Sequence, residues 1–249
     1  MKSEAINETN RVSRYFTVDG FLSFLESKKL HFTRLNKFID SNDGMVNSQL
    51  ALDKAKYLFR TISAGYGSMP AKVVDDANDR YKKDLEYRAN VYASCWTAHD
   101  HESHALWSLY TDHGKGILFR CDLDTLISSI NEQSIQHRSI KYSKSDVDLS
   151  SPDFSESIFT KAKYFSLENE YRFLLDCNKH SLPENHILTE RGFLLPISLD
   201  YSKTWVQLGY GLDSWTARAV KTAITQFGYP ANQIRLSEIN WNPETEKNL

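Results

Sequence analysis

The residues from Lys161 to Leu175 carry the pattern that most constrains how this 249-residue chain can fold. Glu168, Glu170 and Arg172 stand at every second position and lead into the apolar run 173–175. Because alternate side chains of a β-strand share a face, a strand would place these three ionisable groups on one side. The pattern therefore favours a strand whose charged end lines a cleft.

A helix is the alternative interpretation of this stretch. Glu168 and Arg172 are four residues apart, which is the spacing of a surface ion pair on a helix. In that case Leu167, Tyr171 and Leu174 would form the buried stripe. Periodicity alone does not decide between the two, so both interpretations stay open at this point.

The rest of the chain mixes predicted strands and helices without strict alternation. We expect strands at about 12–16, 30–33, 91–97, 117–120, 140–142, 193–197, 204–208 and 234–237. Helices are expected after Thr17 and at about 101–112, 123–131 and 213–227. Two more, at about 46–61 and 70–90, form a predicted helical insertion near 46–90, and residues 1–11 are expected to be flexible. The sequence thus predicts a single α+β domain with a mixed sheet over residues 1–249.

Charge and composition exclude several classes of protein. The net charge is −2, so no global attraction to nucleic acid or to an anionic membrane is expected. No apolar run approaches the roughly 20 residues needed to span a bilayer, and the first residues lack the apolar core of a signal peptide. The three cysteines (Cys95, Cys121 and Cys177) lie far apart, as is typical of reduced thiols. We therefore predict a cytoplasmic protein that does not contact the membrane.

Standard catalytic motifs give no answer. The sequence contains no phosphate loop, dinucleotide fingerprint, zinc-protease helix or nucleophile elbow. His99 and His101 have a spacing that could bind a metal, but histidines in solvated loops are common and no metal site is predicted.

The residues that could carry chemistry instead fall into five ordered blocks. These are Arg14-Tyr15-Phe16, Phe38 to Gly44, Cys95-Trp96-Thr97, Trp107 to Gly116 and Lys161 to Arg172. Together they resemble a widespread bacterial family of unknown function, the two-thousand-nine-hundred-and-seventy-first domain of unknown function. The chain departs from the family pattern at Asp43, where Glu is usual, and at Phe165, where Trp is common. The resemblance favours a strand over 168–175 and implies no particular reaction.

The order of an arginine strand, a Ser/Thr strand and a Glu-x-Glu strand is also similar to that of NAD-dependent ADP-ribosyltransferases, including bacterial toxins that modify nucleic acid. This resemblance implies a split β core and NAD as a substrate. Carried over to this chain, Arg14 would hold an NAD phosphate or ribose, and Ser94 or Thr97 would support the nicotinamide ribose. Glu170 would be the catalytic acid, and Glu168 would be its partner near the acceptor.

The same resemblance implies further contacts and partners. Tyr15, Trp107 or Tyr110 would offer an aromatic face to nicotinamide or to a nucleobase, and Arg172 would complete the NAD-binding set. The acceptor would be nucleic acid or protein, and a toxin or anti-phage effector of this kind implies an inhibitory or activating protein partner. Local contacts to nucleic acid would come from Arg138, Lys141, Lys161 and Lys163.

Other interpretations remain open beside the transferase. A metal-dependent nuclease or phosphoesterase would use four carboxylates, those of Asp40, Asp43, Glu168 and Glu170. A non-catalytic sensor would bind a nucleotide or a partner protein through the same residues. In the plainest interpretation, Arg14 and Arg172 only neutralise Glu168, Glu170 or Asp40 in a buried ionic network.

Overall fold

A ten-stranded sheet forms the centre of the computed structural model, which describes residues 10–38, 43, 75, 79, 82–83, 85–143 and 154–239. Its strands are β1 (Arg11–Thr17), β2 (Lys29–Arg34), β3 (Val91–Thr97), β4 (Gly116–Asp122), β5 (Ile135–Ser139), β8 (Glu170–Asp176), β9 (Ile187–Leu188), β10 (Gly192–Pro196), β11 (Thr204–Leu208) and β12 (Ile234–Leu236). Two short strands, β6 (Lys141–Ser143) and β7 (Thr160–Ala162), form a separate parallel pair. Within the large sheet, β11 and β12 are parallel and the other recorded pairs are antiparallel.

Helices cover the sheet. They are α1 (Val18–Ser27), α2 (His104–Tyr110), α3 (Leu123–Ile130), α4 (Phe154–Ser157) and α5 (Ser214–Gln226), and residues 85–89 are also helical. The Thr17 side chain accepts a hydrogen bond from the Gly20 N–H and caps α1, as expected from the sequence. Among the residues described above, no helix has the length and apolar character needed to cross a membrane.

The sheet is split next to β3. Along one edge, β3 pairs with β8 over its whole length, from Val91 to Thr97. Along the other edge, β3 pairs with β1 at Thr97 and with β2 at Ala93 and Tyr92. On that edge, residues 94–96 of β3 pair with neither strand. β1 and β2 separate at this point and leave an opening between the two strands.

Two apolar cores lie on opposite faces of β3, because its side chains alternate between the faces. Tyr92 and Trp96 belong to the larger core, together with residues of α1, α3 and α5. Val91 and Ala93 belong to a smaller core on the other face. That second face also carries the cluster in which Trp107 of α2 packs on β1 and β4. The split between β1 and β2 thus connects the two sides of the sheet.

The Lys161–Leu175 stretch differs from both interpretations of the sequence. Residues Lys163–Glu168 form a 3₁₀ helix, and β8 begins only at Glu170. Between them Asn169 has a φ of 40°, in the left-handed region that asparagine tolerates better than most residues. Glu168 therefore does not share a strand face with Glu170 and Arg172, and the prediction of three ionisable groups on one strand face is wrong.

Within the described residues, the other predicted strands and helices agree with the structure to within a few residues, whereas β5, β7, β9 and α4 were not predicted. The helix expected at 101–112 is shorter, His104–Tyr110, because the Ser103 side chain caps its start. The prediction of a mixed sheet with several helices is confirmed. The helix expected at 46–61 lies outside the described residues, as do residues 1–9. From 75 to 89, the residues that the structure describes are helical.

Candidate functional site

A cavity of about 610 Å³ lies where β1 and β2 part. Its walls come from β1, β3, α2, the chain after β2, the 3₁₀ helix Lys163–Glu168 and the start of β8. The volume falls within the range of roughly 300–1,000 Å³ that is usual for small-molecule sites. The cavity is therefore large enough to be a ligand site, and the residues predicted from the sequence can be compared with its walls.

Six of the nine predicted site residues line this cavity: Arg14, Tyr15, Thr97, Tyr110, Glu168 and Glu170. The other three lie behind the wall, where Ser94 is 1% exposed and Trp107 and Arg172 are fully buried. The structure thus brings the candidate catalytic glutamates and the candidate NAD-binding arginine to one cavity. Ser94, Trp107 and Arg172 act on it only through their neighbours.

Arg14 reaches the cavity from the face of the larger core. Its Nη1 donates a hydrogen bond to Ser94 Oγ at 2.9 Å, and its guanidinium lies 5.1 Å from the Phe16 ring centroid and 5.9 Å from that of Trp96. Trp96 Nε1 also donates to Ser94 Oγ, at 3.3 Å. Ser94 therefore positions Arg14, and the aromatic rings restrict where the guanidinium can lie.

The charge of Arg14 is not balanced by a nearby carboxylate. Within the described part of the chain, no Asp or Glu lies at ion-pair distance from its guanidinium. Burial lowers the pKa of Arg14, and the neighbouring Cys95 and Tyr110 side chains oppose that change. Because a desolvated cation without a counterion is costly, this arrangement favours an anionic ligand in the cavity.

The acidic side of the cavity is a network of three carboxylates and two cations. Lys161 Nζ lies 2.7 Å from Glu168 Oε2, 2.8 Å from Glu170 Oε2 and 3.3 Å from Asp43 Oδ2. Arg172 Nε donates to Glu170 Oε1 at 2.6 Å, and its two Nη atoms donate to the two Asp43 oxygens at 2.8 Å each. The buried ionic network that the sequence left as an alternative is therefore present in part: Arg172 belongs to it, Lys161 and Asp43 are further members, and Arg14 pairs with none of these three carboxylates.

Glu170 is held in its ionised form by this network. Burial alone would raise the pKa of its carboxyl group, but Arg172 and Lys161 outweigh burial and lower the pKa to about 2. Burial likewise opposes the charge of Lys161, but Glu170 and Asp43 raise its pKa. At neutral pH the cavity is thus bordered by a fixed carboxylate that accepts hydrogen bonds and does not donate a proton.

Glu168 lies closer to the mouth of the cavity than Glu170. Its side chain is 15% exposed, compared with 3% for Glu170. Tyr110 Oη donates to Glu168 Oε1 at 3.1 Å, and burial followed by the Glu168 charge raises the pKa of Tyr110. Tyr110 is itself 46% exposed, so this phenol and carboxylate form a polar pair that solvent or an incoming molecule can reach.

Two hydroxyl groups at the cavity have no hydrogen-bond partner among the described residues. Ser13 of β1 and Thr97 of β3 are directly opposite each other, and Thr97 is in turn opposite Glu170 of β8. Ser13 Oγ and Thr97 Oγ1 are buried without a partner in the described residues. Because buried polar groups are nearly always satisfied, this cross-strand row is suited to the hydroxyl groups of a ligand.

Trp107 and Tyr15 hold the wall of the cavity in place. Trp107 Nε1 donates to Glu102 Oε2 at 2.8 Å, and Glu102 also accepts from Gln207 Nε2 at 2.8 Å. The Tyr15 ring packs edge-on against Trp107 with centroids 5.0 Å apart, and its hydroxyl accepts from the Ser103 N–H. Because Trp107 is fully buried, neither face of its ring is open to a ligand. Its role in this structure is to fix α2.

The metal alternative conflicts with the position of Lys161. Asp43, Glu168 and Glu170 do converge, but the Lys161 ammonium group occupies the space between them. Within the ranges that the structure describes, no group of three metal-ligating side chains is found. Asp40 lies outside those ranges.

The basic residues predicted to contact nucleic acid lie in different surroundings, and the contacts themselves stay a prediction. Lys161 is buried in the ionic network, with 8% of its side chain exposed. Arg138 and Lys141 both pair with Glu156. Of the four residues, Lys163 is exposed and has no ion pair within the described residues.

Sequence reasoning missed one side of the cavity. Lys37 and Phe38, which follow β2, and Arg191, which precedes β10, all line it. Phe165 of the 3₁₀ helix also lines it, with the Lys161 ammonium 5.4 Å from its ring centroid. No spacing in the sequence relates Lys37 to Arg191, because the pairing of β2 with β10 brings them together.

Comparisons of the chain with family models, curated proteins and solved structures found no match. Membership of the bacterial family suggested by the five blocks therefore stays a prediction.

Proposed function

We propose that this chain is an enzyme of the ADP-ribosyltransferase type, which cleaves NAD and transfers ADP-ribose to an acceptor. One observation carries the proposal: Arg14, a cation without a carboxylate partner among the described residues, and Glu170, a fixed carboxylate, border the same cavity of about 610 Å³. The diphosphate of NAD would bind to Arg14. The ribose, which becomes positively charged during the reaction, would lie against Glu170.

The row of hydroxyl groups beside Glu170 supports the same orientation of the substrate. The unpartnered Ser13 and Thr97 hydroxyls lie next to Glu170 along the paired strands. A ribose placed there would hydrogen-bond to these hydroxyls and to the Glu170 carboxylate. The Tyr110 side chain, which also lines the cavity, offers an aromatic face to the departing nicotinamide.

The proposed reaction breaks the bond between ribose C1′ and the nicotinamide nitrogen. The bonding electrons leave with nicotinamide, which departs as a neutral molecule, and the ribose develops oxocarbenium character. A carboxylate that is ionised and held in place before the reaction stabilises that charge without reorganising. An acceptor nucleophile then forms the new bond to C1′, and its proton passes to Glu168, the more exposed carboxylate.

At the level of the fold, the split between β1 and β2 supports an ADP-ribosyltransferase-like core as an analogy. The chemistry of the proposed reaction also suggests a biological role for the enzyme. An enzyme that consumes NAD damages its own cell when unrestrained, so a toxin or anti-phage effector kept inactive by a protein partner fits this activity. The acceptor in this proposal is a nucleic acid or a protein.

A second candidate function is a non-catalytic sensor that binds a nucleotide. One observation favours it: Asp43, Glu168 and Glu170 are all already paired with Lys161 or Arg172. Such pairing reduces the negative potential that a carboxylate can exert on a reacting ribose.

Release of nicotinamide from NAD, followed by chromatography, tests the proposal and separates it from the sensor. We expect the wild-type chain to release nicotinamide and Glu170→Gln to do so at least about 100-fold more slowly, since the charge that stabilises the transition state is lost. Glu26→Gln, an equivalent change at an exposed site on α1, is the matched control and should retain the wild-type rate. NAD binding without turnover in the wild type would support the sensor and contradict the transferase.

A further inference from the structure

Three cationic side chains outside the ionic network line the cavity. They are Arg14 of β1, Lys37 of the 3₁₀ helix Leu35–Lys37 that follows β2, and Arg191, which is the residue before β10. We propose that these three residues form a binding site for the diphosphate of a nucleotide. This inference rests on the proposed function in one respect: it takes the nucleotide to be the substrate whose ribose lies at Glu170.

The backbone fixes Lys37 and Arg191 next to each other. Arg191 Nη2 donates to the Lys37 carbonyl oxygen at 3.1 Å, and the Arg34 N–H donates to the Arg191 carbonyl oxygen at 2.8 Å. The pairing of Gly192 with Thr33 continues this contact into the sheet. The Arg191 side chain and the Lys37 backbone are thus fixed relative to each other by this hydrogen bond and by the pairing of β2 with β10.

None of the three cations is neutralised by a carboxylate among the residues that the structure describes. In the part of the chain that the structure covers, no carboxylate forms an ion pair with Arg14, Lys37 or Arg191. The contrast with Lys161 is direct, since that cation has three carboxylates within 3.3 Å. Charges of one sign that converge without counterions raise the local potential and attract the opposite charge.

His31 of β2 is affected by the charges of two of these cations. Burial lowers the pKa of His31, and the Arg14 and Arg191 charges lower it further, to about 4. Its ring nitrogens are hydrogen-bonded to the Thr33 and Thr189 hydroxyls, so the neutral ring is accommodated. Protonation of His31 is therefore disfavoured by the charges of both arginines.

The number and type of cations indicate a diphosphate and not a single phosphate group. Guanidinium groups bind phosphate oxygens in a bidentate manner, and an ammonium group adds a further point charge. Two arginines and a lysine can thus contact both phosphoryl groups of a diphosphate. With the diphosphate here, the ribose that follows it extends toward Thr97 and Glu170 on the other side of the cavity.

Calorimetric titration with three ligands tests this assignment: ADP-ribose, inorganic pyrophosphate and nicotinamide riboside, which has no phosphate. We expect the double variant Lys37→Gln/Arg191→Gln to bind ADP-ribose and pyrophosphate about tenfold or more weakly than the wild type, because charge-assisted hydrogen bonds are lost. Nicotinamide riboside should bind equally to both. Lys203→Gln/Arg235→Gln removes the same charge from exposed residues outside the cavity and is the matched control.

The outcomes separate this inference from the proposed function. Four results would each overturn the diphosphate site. Two concern the double variant: unchanged affinity for ADP-ribose, or a loss of affinity for nicotinamide riboside as large as that for ADP-ribose. The others are an equal loss of ADP-ribose affinity in the control variant, and a wild type that binds neither ADP-ribose nor pyrophosphate. Arg191→Lys keeps the charge but not the bidentate geometry and should bind ADP-ribose more tightly than Arg191→Gln. Retained affinity for nicotinamide riboside in the double variant excludes misfolding as the cause. If the diphosphate ligands bind as expected but NAD is not cleaved, the binding site stands and the transferase fails.

Discussion

Arg172 lies fully buried between Glu170 and Asp43, and its Nη1 also donates to the Ile158 carbonyl oxygen at 2.8 Å. All five N–H groups of the guanidinium donate hydrogen bonds, two to Asp43, one to the Ile158 carbonyl oxygen and two to Glu170 on the same strand. The same residue therefore joins segments of the fold and keeps Glu170 ionised. Stability and the candidate chemistry are linked at the scale of a single side chain.

Replacing Arg172 with methionine should reduce the free energy of unfolding by about 3–5 kcal/mol, because Asp43 and Glu170 would be left buried without their partner. Arg11→Met is the comparison, since Arg11 forms a surface ion pair with Asp122 and should cost less than about 1 kcal/mol. Urea denaturation followed by circular dichroism measures both. Equal losses for the two variants would contradict the assignment of Arg172 to a buried network.

The pKa of Glu170 leads to a stability prediction at acid pH. Its pKa falls from an ordinary value of 4.5 to about 2 in the folded chain, so the unfolded chain takes up the proton more readily. The contribution of Glu170 is therefore complete above about pH 4.5 and decreases as the pH falls toward 2, by about 3 kcal/mol in total. Unfolding measured between pH 5 and pH 2.5 should show a shallower loss in Glu170→Gln than in Glu26→Gln, and parallel curves would contradict the prediction.

His31 gives a spectroscopic test of the cationic end. Removing the Arg191 charge in Arg191→Gln should raise the pKa of His31 from about 4 toward its usual value, because one of the two arginine charges that disfavour protonation is lost. Arg191→Lys should leave the pKa nearly unchanged. NMR titration of the imidazole carbon-bound protons measures it, and identical titration curves for Arg191→Gln and the wild type would refute a shared electrostatic environment.

At the scale of elements, local sequence patterns predicted β3 and β11 with their observed bounds, since each is a short run of apolar and β-branched residues. The pattern of alternate charges from Glu168 to Arg172 was misleading because it crosses an element boundary. Asn169 adopts a left-handed conformation, which ends the 3₁₀ helix and starts β8. Alternation in a sequence does not reveal where a single residue reverses the sign of φ.

The pairing of β10 with β2 should be sensitive to a single methyl group. A Cβ atom at Gly192 would lie 1.9 Å from the Phe32 carbonyl oxygen, so Gly192→Ala must move one strand away from the other. We expect a loss of about 3 kcal/mol in the free energy of unfolding. Gly228→Ala, where the backbone has a φ of 83° but no atom lies within 4 Å, should cost only about 1 kcal/mol. Thermal unfolding compares the two, and a smaller loss for Gly192→Ala would contradict the recorded register.

At the scale of the whole molecule, the cavity exists because β1 and β2 both pair with one edge of β3 and leave its centre uncovered. The order of residue types along the chain was enough to nominate Arg14, Thr97 and Glu170. It could not show that Lys161 would neutralise the carboxylates, because the 3₁₀ helix Lys163–Glu168 turns the chain back on itself there. It also could not show that Arg191 would line the cavity, because that position depends on the pairing of β10 with the distant strand β2. Topology therefore supplies the part of the site that local patterns omit.

A crystal structure of Glu170→Gln soaked with NAD tests the central claim most directly, which is that one nucleotide bridges the cationic and acidic ends of this cavity. We predict electron density with the diphosphate in hydrogen-bonding contact with Arg14 and Arg191 and the nicotinamide ribose against Thr97 and residue 170. Density for NAD at any other place on the molecule, or in this cavity with the diphosphate beside Lys161 and Glu168, would contradict the account.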